Sequence, residues 1–157
     1  MTKDITICLW FDNQAEDAAI FYTTIFKNSK IENTSRYGKE GFEIHGQKEG
    51  TVMTVNFNIN GQSFTALNGG PLFKFNESVS FQVFCEDQDE IDYYWDHLTA
   101  GGGEEGQCGW LKDKFGVSWQ IIPDALPGLL KDPAKAGKVT NAFMQMKKLE
   151  ISKLLNA

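Results

Sequence analysis

No run of eighteen apolar residues occurs anywhere in the chain, so the sequence holds nothing that would cross a bilayer as a single helix. Histidine is nearly absent: His45 lies in a glycine-rich stretch and His97 in a helical one, and both read as ordinary surface or loop residues. The three cysteines, Cys8, Cys85 and Cys108, form an odd set without metal-ligand spacing. They argue against a disulfide framework and for reduced thiols in a cytoplasmic protein. Clustered basic residues are missing too, apart from Lys147-Lys148, which reads as the solvated face of a helix. With a formal net charge of −6 this argues against a nucleic-acid partner, whose affinity would rest on Lys and Arg at the phosphates. The opening Met1-Thr2-Lys3-Asp4 carries an acid and runs directly into a strand-like segment, which does not fit a signal peptide.

What is present suits one folded domain over residues 1–157. The apolar fraction of 41% is enough for a sizeable core, and 12 Phe, 4 Tyr and 4 Trp promise large buried areas and aromatic pocket walls. Residues 5–10 alternate, Ile5, Ile7 and Leu9 against Thr6, Cys8 and Trp10, which is the period of a strand. Asn13 and Glu16 make a capping pair, and Ala15, Ala18, Ala19, Tyr22, Ile25 and Phe26 recur at helical spacing over 14–27. A β-like run over 31–37 precedes a glycine-rich loop, 38–50. Met53, Val55, Phe57 and Ile59 then alternate up to Asn60-Gly61, a type I′ hairpin signal, and 62–67 returns as a strand.

The same order then recurs. Val79, Phe81 and Val83 alternate with Ser80, Gln82 and Phe84, and Asp87 and Glu90 form a second capping pair. Ile91, Tyr94, Trp95 and Leu98 give a helical stripe that ends at Gly101-Gly102-Gly103. Asp87 and Glu90 stand 74 residues after Asn13 and Glu16, and the same offset carries Thr6, Cys8 and Trp10 onto Ser80, Gln82 and Phe84. One offset shared by strand, cap and helix marks an internal repeat. Strands over 109–114 and 117–122, joined at Phe115-Gly116, complete the second unit. A short helical turn over 125–130 follows. Val139, Ala142, Phe143, Met146, Leu149 and Leu154 then keep one apolar stripe, which predicts a long helix to the C-terminus. Strands and helices do not alternate one for one, so the fold class is α+β, two βαβββ modules (about 5–68 and 78–122) with a C-terminal helical extension, about 124–155.

Two such modules in one chain resemble the vicinal oxygen chelate (glyoxalase/bleomycin resistance/dioxygenase) superfamily. Several segments are similar to its PhnB-like branch, often labelled 3-demethylubiquinone-9 3-methyltransferase. These are Leu9-Trp10-Phe11-Asp12 with Ala15-Glu16 and Phe21-Tyr22, then Ala66 to Pro71, the long run from Cys108 to Gln120, and Gln145 to Leu149. The resemblance implies that each module forms half of a cup with a ligand on its concave face, and that the protein is a homodimer. The linker, 71–78, permits pairing of the modules within one chain or across such a dimer.

Metal-dependent members of this superfamily place His or Glu at four inward positions. Carried over by strand parity, these fall near Thr6 (or Ile7, if the register slips by one), Thr65 or Leu67, Ser80, and Gln120. Hydroxyls and amides without an anionic partner hold a transition ion poorly against water, although Gln120 is a weak neutral ligand in principle. No cofactor is therefore expected, and the residues disfavour a divalent metal. The expected ligand surface combines Trp10, Phe84 and Trp110 with Asn68, Ser80, Gln82 and Gln120, an apolar wall with a few convergent polar groups. Trp119, of opposite parity to Gln120, reads as core.

Three functions compete. The foremost is a metal-independent binder of a small organic ligand. A metal-dependent glyoxalase- or dioxygenase-like isomerase or lyase is the first alternative. A quinone methyltransferase is the second, but Gly101-Gly102-Gly103 follows a helix instead of opening one, which suits a helix stop better than a cofactor cradle. Cys108, with Lys112 to stabilise a thiolate, is the candidate nucleophile if there is one.

Overall fold

The alternating segment near the N-terminus forms β1 (Ile7–Phe11), and its apolar parity meets the next helix, α1 (Ala15–Ile25). There follow β2 (Ser29–Arg36), a short α2 (Phe42–His45) inside the glycine-rich stretch, β3 (Val52–Ile59) and β4 (Gln62–Asn68). This computed structural model describes residues 2–157; Met1, where the segment read against a signal peptide begins, lies outside them. The chain gathers into two compact units, one running to Lys74 and the other from Phe75 to Ala157.

In the first unit the sheet order is β1-β4-β3-β2, with β1 parallel to β4 and the other pairs antiparallel. Leu9, Phe11, Val55, Phe57, Phe64 and Ala66 form its buried face. Ala15, Ala18 and Ala19 of α1 are fully buried, and their small side chains let the helix lie close to the strands. Tyr22 stacks on Phe57 at 6.0 Å, and Phe57 on Phe64 at 5.1 Å. Asn60 (φ 50°) and Gly61 (φ 88°) both take positive φ, as a type I′ turn requires.

The start of α1 differs from the expected Asn13–Glu16 pair. The N-cap is Gln14, without a side-chain cap, and the Ala15 N–H donates to Asn68 Oδ1 at 2.8 Å. The cap is supplied from β4, fifty-three residues away, which no local pattern announces. In the second unit the pair holds. Asp87 Oδ1 accepts from the Glu90 N–H at 2.9 Å, and Glu90 Oε2 accepts from the Glu86 N–H at 2.8 Å.

That unit contains β5 (Ser80–Cys85), α3 (Gln88–Thr99), β6 (Glu104–Glu105), β7 (Trp110–Lys112) and β8 (Ser118–Pro123), in the order β5-β8-β7-β6. Again the first and last strands are parallel neighbours. The 74-residue offset carries Ile7 of β1 onto Phe81 of β5, but their partners Phe64 and Trp119 stand 55 residues apart, so the offset relates the opening strands and not the closing ones. The edge strand β6 has two residues where β2 has eight. A Cβ at Gly103 would stand 2.7 Å from Lys112 O and from the Thr99 backbone, so only glycine lets the chain turn this closely from α3 into β6.

The predicted long C-terminal helix is not formed. Instead there are three short ones, α4 (Leu126–Lys131), α5 (Ala136–Met144) and α6 (Ile151–Leu155). Between α5 and α6 the backbone leaves the helix to serve the second sheet. Met146 O accepts from the Cys108 N–H at 2.7 Å and Lys147 O from the Gly109 N–H at 2.8 Å. Gln88 clamps the same segment, donating to Leu149 O (3.1 Å) and accepting from the Ile151 N–H (2.9 Å). The apolar stripe survives as a cluster of Ile122, Leu126, Val139, Met146, Leu149 and Leu154. Among the described residues no helix is long and apolar enough to cross a membrane.

Candidate functional site

Strand alternation gives the second sheet two unlike faces. Phe81, Val83, Leu111, Trp119 and Ile121 share the parity of Glu105, whose Oε1 accepts from the α3 indole Trp95 Nε1 at 2.8 Å. Trp119 is buried there against Phe81, ring centroids 5.2 Å apart, and its indole N–H donates to Asp113 Oδ2 at 2.9 Å. The opposite parity brings together Ser80, Gln82 and Phe84 from β5, Ser118 and Gln120 from β8, and Trp110 and Lys112 from β7.

Five of the residues expected at the ligand surface thus share one face. Gln120 Nε2 donates to Ser80 Oγ at 2.8 Å, and Gln82 Nε2 approaches Gln120 Oε1 at 3.4 Å. Trp110 stands directly across from Gln120, and Phe84, 49% exposed, ends the row beside Ile122. The result is a neutral polar line flanked by aromatic rings.

The other two expected residues lie in the first unit. Trp10 shares a face with Cys8, Thr65 and Leu67, donates its indole N–H to Gly70 O at 2.9 Å, and packs edge-on against Phe73 at 5.0 Å. Asn68 belongs to the opposite, helix-covered face, and its side chain is fully engaged. Besides capping α1 it donates from Nδ2 to Val52 O at 3.0 Å, while its backbone O accepts from the Tyr37 hydroxyl at 2.6 Å. Cys108 lies two residues ahead of β7 with φ 58°, held by the C-terminal segment through its own N–H. Lys112, the expected support for its thiolate, holds Glu77 instead. Cys85 is buried, and burial, then Glu90, Asp124 and Asp87, push its thiol up to about 12.

Sequence reasoning missed a pocket next to this face. Glu77, Glu104, Glu105, Trp110, Lys112 and Ser118 border a space of about 210 Å³. Lys112 is the register partner of Ser118, and Ser118 that of Ser80, three residues after Glu77. The Lys112–Glu77 ion pair borders the same space as Ser118, which is only 1% exposed. The pair holds the Glu77 carboxyl below its ordinary range and raises the Lys112 ammonium above its own. Ser118 Oγ, at the wall of this space, has no hydrogen-bond partner among the described residues. Lys112 and Ser118 could have been added from the sequence, since each lies two residues from a chosen strand residue and so shares its face. Glu77, in the linker, carried no such signal.

The four positions carried over by strand parity as metal ligands offer a poor donor set. Ser80 and Gln120 are neutral and satisfy each other. Thr65 Oγ1 donates to Asn56 Oδ1 at 3.0 Å, and Thr6 is exposed, ahead of β1. Among the described residues no group of three or more His, Cys, Asp or Glu is placed to hold an ion. A transition metal does not fit these residues. Gly101 (φ 73°) and Gly102 (φ 113°) carry the chain out of α3 and towards β6, so no helix N-terminus follows them to gather amides around a phosphate.

Comparison with known proteins gives consistent results. A family model described as 3-demethylubiquinone-9 3-methyltransferase matches residues 3–122. Among solved structures, a protein from Bacillus cereus described as a 3-demethylubiquinone-9 3-methyltransferase, PhnB protein, is 36% identical. The match covers 77% of this chain and 99% of that one, with a TM-score of 0.67. Protein PA1353 from Pseudomonas aeruginosa is 16% identical over 78% of this chain and 100% of its own, with a TM-score of 0.60. The fosfomycin resistance protein FosX from Listeria monocytogenes, solved with Mn(II) and a sulfate ion, is 15% identical over 83% of this chain and 97% of its own, with a TM-score of 0.54. The last two show a shared fold alone. No curated protein matches the sequence.

Proposed function

We propose a function from the premise that this chain belongs to the 3-demethylubiquinone-9 3-methyltransferase family, the PhnB-like branch of the vicinal oxygen chelate superfamily: it binds a small organic ligand, without a metal ion, on the face of its second sheet that α3 leaves open. The observation that supports this most is the hydrogen-bonded line Ser80–Gln120–Gln82 between the rings of Trp110 and Phe84. Apolar walls supply the binding area, and a few oriented amides and hydroxyls select among ligands. By the resemblance, Ser80 and Gln120 fall at positions where metal-dependent members carry His or Glu, and here they are neutral groups that bond to each other. Binding is preferred over methyl transfer because the glycine run closes a helix and builds no cradle for a cofactor. A homodimer belongs to the same reading, on the strength of the resemblance.

Amide NMR of the labelled protein with a library of small fragments tests the site. Hits are expected to move Ser80, Gln82, Trp110 and Gln120 together, and Gln120→Leu to weaken them about tenfold, since the substitution leaves Ser80 without its partner. Hits confined to other surfaces would overturn the site. Calorimetric titration with Mn(II), Ni(II) and Zn(II) is expected to show no stoichiometric binding; one ion per chain would overturn the metal-free reading. Sedimentation equilibrium checks the dimer, against which a monomer mass at micromolar concentration would count.

A further inference from the structure

The pocket beside β7 has a chemical character of its own. It is lined by the acidic residues Glu77, Glu104 and Glu105, the last with its carboxylate turned to Trp95, and by the single basic residue Lys112. Lys112 is already engaged by Glu77, and Glu105 by Trp95 and, at 3.9 Å, by Lys147. Glu104 forms no ion pair among the described residues. Among the described residues two polar groups at the wall have no hydrogen-bond partner, the Ser118 hydroxyl and the indole N–H of Trp110. A buried hydroxyl with no partner leaves its desolvation uncompensated, so its retention asks for an explanation outside the folded chain.

We infer that this pocket receives a small organic cation, a protonated amine whose ammonium lies between the Glu104 carboxylate and the ring of Trp110 while a neighbouring hydroxyl or carbonyl meets Ser118 Oγ. The inference rests on the open face of the second sheet being a ligand site, and it adds the class of ligand. An anion would need Lys112, but Glu77 holds that charge. An ammonium gains from both the Glu104 carboxylate, which stands across from Lys112 without forming an ion pair with it, and the electron-rich indole face. About 210 Å³ is the space of roughly seven water molecules at ~30 Å³ each, enough for one ring or a short amino alcohol.

Four probes of similar size separate the outcomes: 2-amino-1-phenylethanol, phenylethylamine, 2-phenylethanol and phenylacetate, each titrated into the labelled full chain. The amines are expected to shift the Trp110 indole N–H and the amides of 104–112, the amino alcohol more tightly than the plain amine. Glu104→Gln is expected to weaken both amines about three- to fivefold, and added salt to weaken them further. Ser118→Ala is expected to remove only the advantage of the amino alcohol. If the neutral or anionic probes move Trp110, Ser80 and Gln120 while the amines do not, the cation is wrong and the ligand face stands. If all four probes leave the second unit unmoved, both fail.

Discussion

Only 3% exposed, the Asp113 carboxyl accepts from the N–H groups of Phe115 (2.9 Å) and Val117 (3.1 Å) and from the Trp119 indole (2.9 Å). One side chain thus fixes the β7–β8 turn and anchors the largest ring on the buried face. In Asp113→Asn the new NH₂ must face either the backbone donors or the indole, so a loss of about 2–3 kcal/mol is expected, read as a lower urea midpoint. Ser118→Ala is expected to be neutral or stabilising by up to about 1 kcal/mol in the same measurement, because no protein hydrogen bond is lost. Asn68→Ala removes the cap of α1 and is expected to cost about 1–2 kcal/mol. Asn13→Ala, at the position the local pattern favoured, is expected to stay within about 0.5 kcal/mol. The contrast shows what a sequence pattern can hold. Asp87 and Glu90 cap their own helix three residues apart, whereas Asn68 acts across the fold.

At the scale of elements, the segment between α5 and α6 decides how the second unit is closed. It contains neither proline nor glycine, so its composition gave no reason to break the expected helix. The break follows from tertiary demand, since the Cys108 and Gly109 N–H groups take carbonyls that a helix would have kept. Leu149, 1% exposed, sits under this closure, and Leu149→Ala is expected to lower stability by about 2–4 kcal/mol in thermal or urea unfolding. Lys148 ties the same segment to α3 through Asp92 at 2.9 Å and, more loosely, Asp96. Lys148, and then Gln88, hold the Asp92 carboxyl below its ordinary value. A carboxyl depressed by folding contributes stability that is complete above its unfolded value and is lost as pH falls through its folded one. The melting temperature is therefore expected to fall as the solution is acidified through the carboxylate range. In Lys148→Met that fall is expected to be shallower, with the neutral-pH melting temperature lowered.

For the molecule as a whole, the repeat was legible because the opening strand and the helix of each unit obey one offset, and the two sheets share one strand order; the offset does not extend to the closing strands β4 and β8. The fold class and the family followed from it and stand. Five of the seven chosen ligand-face residues meet on one surface because alternation alone determines which side a strand residue takes. The pocket was not legible. It depends on the ion pair between Lys112 and a linker residue, and on an edge strand too short to leave a pattern. Trp10 and Asn68, expected as an aromatic wall and an orienting amide, belong to the first unit, and each is held there by hydrogen bonds within it.

In each unit the first strand finds its parallel partner only in the last, β1 in β4 and β5 in β8. Neither sheet can close while its unit is still being translated, because pairing so far apart in sequence waits on the whole intervening chain. Up to that point β1 and β5 emerge from the ribosome with an open edge and an apolar side. Slowed synthesis just before Gln62 or just before Ser118 would prolong that exposure, and those are the stretches where a nascent chain would most need a chaperone.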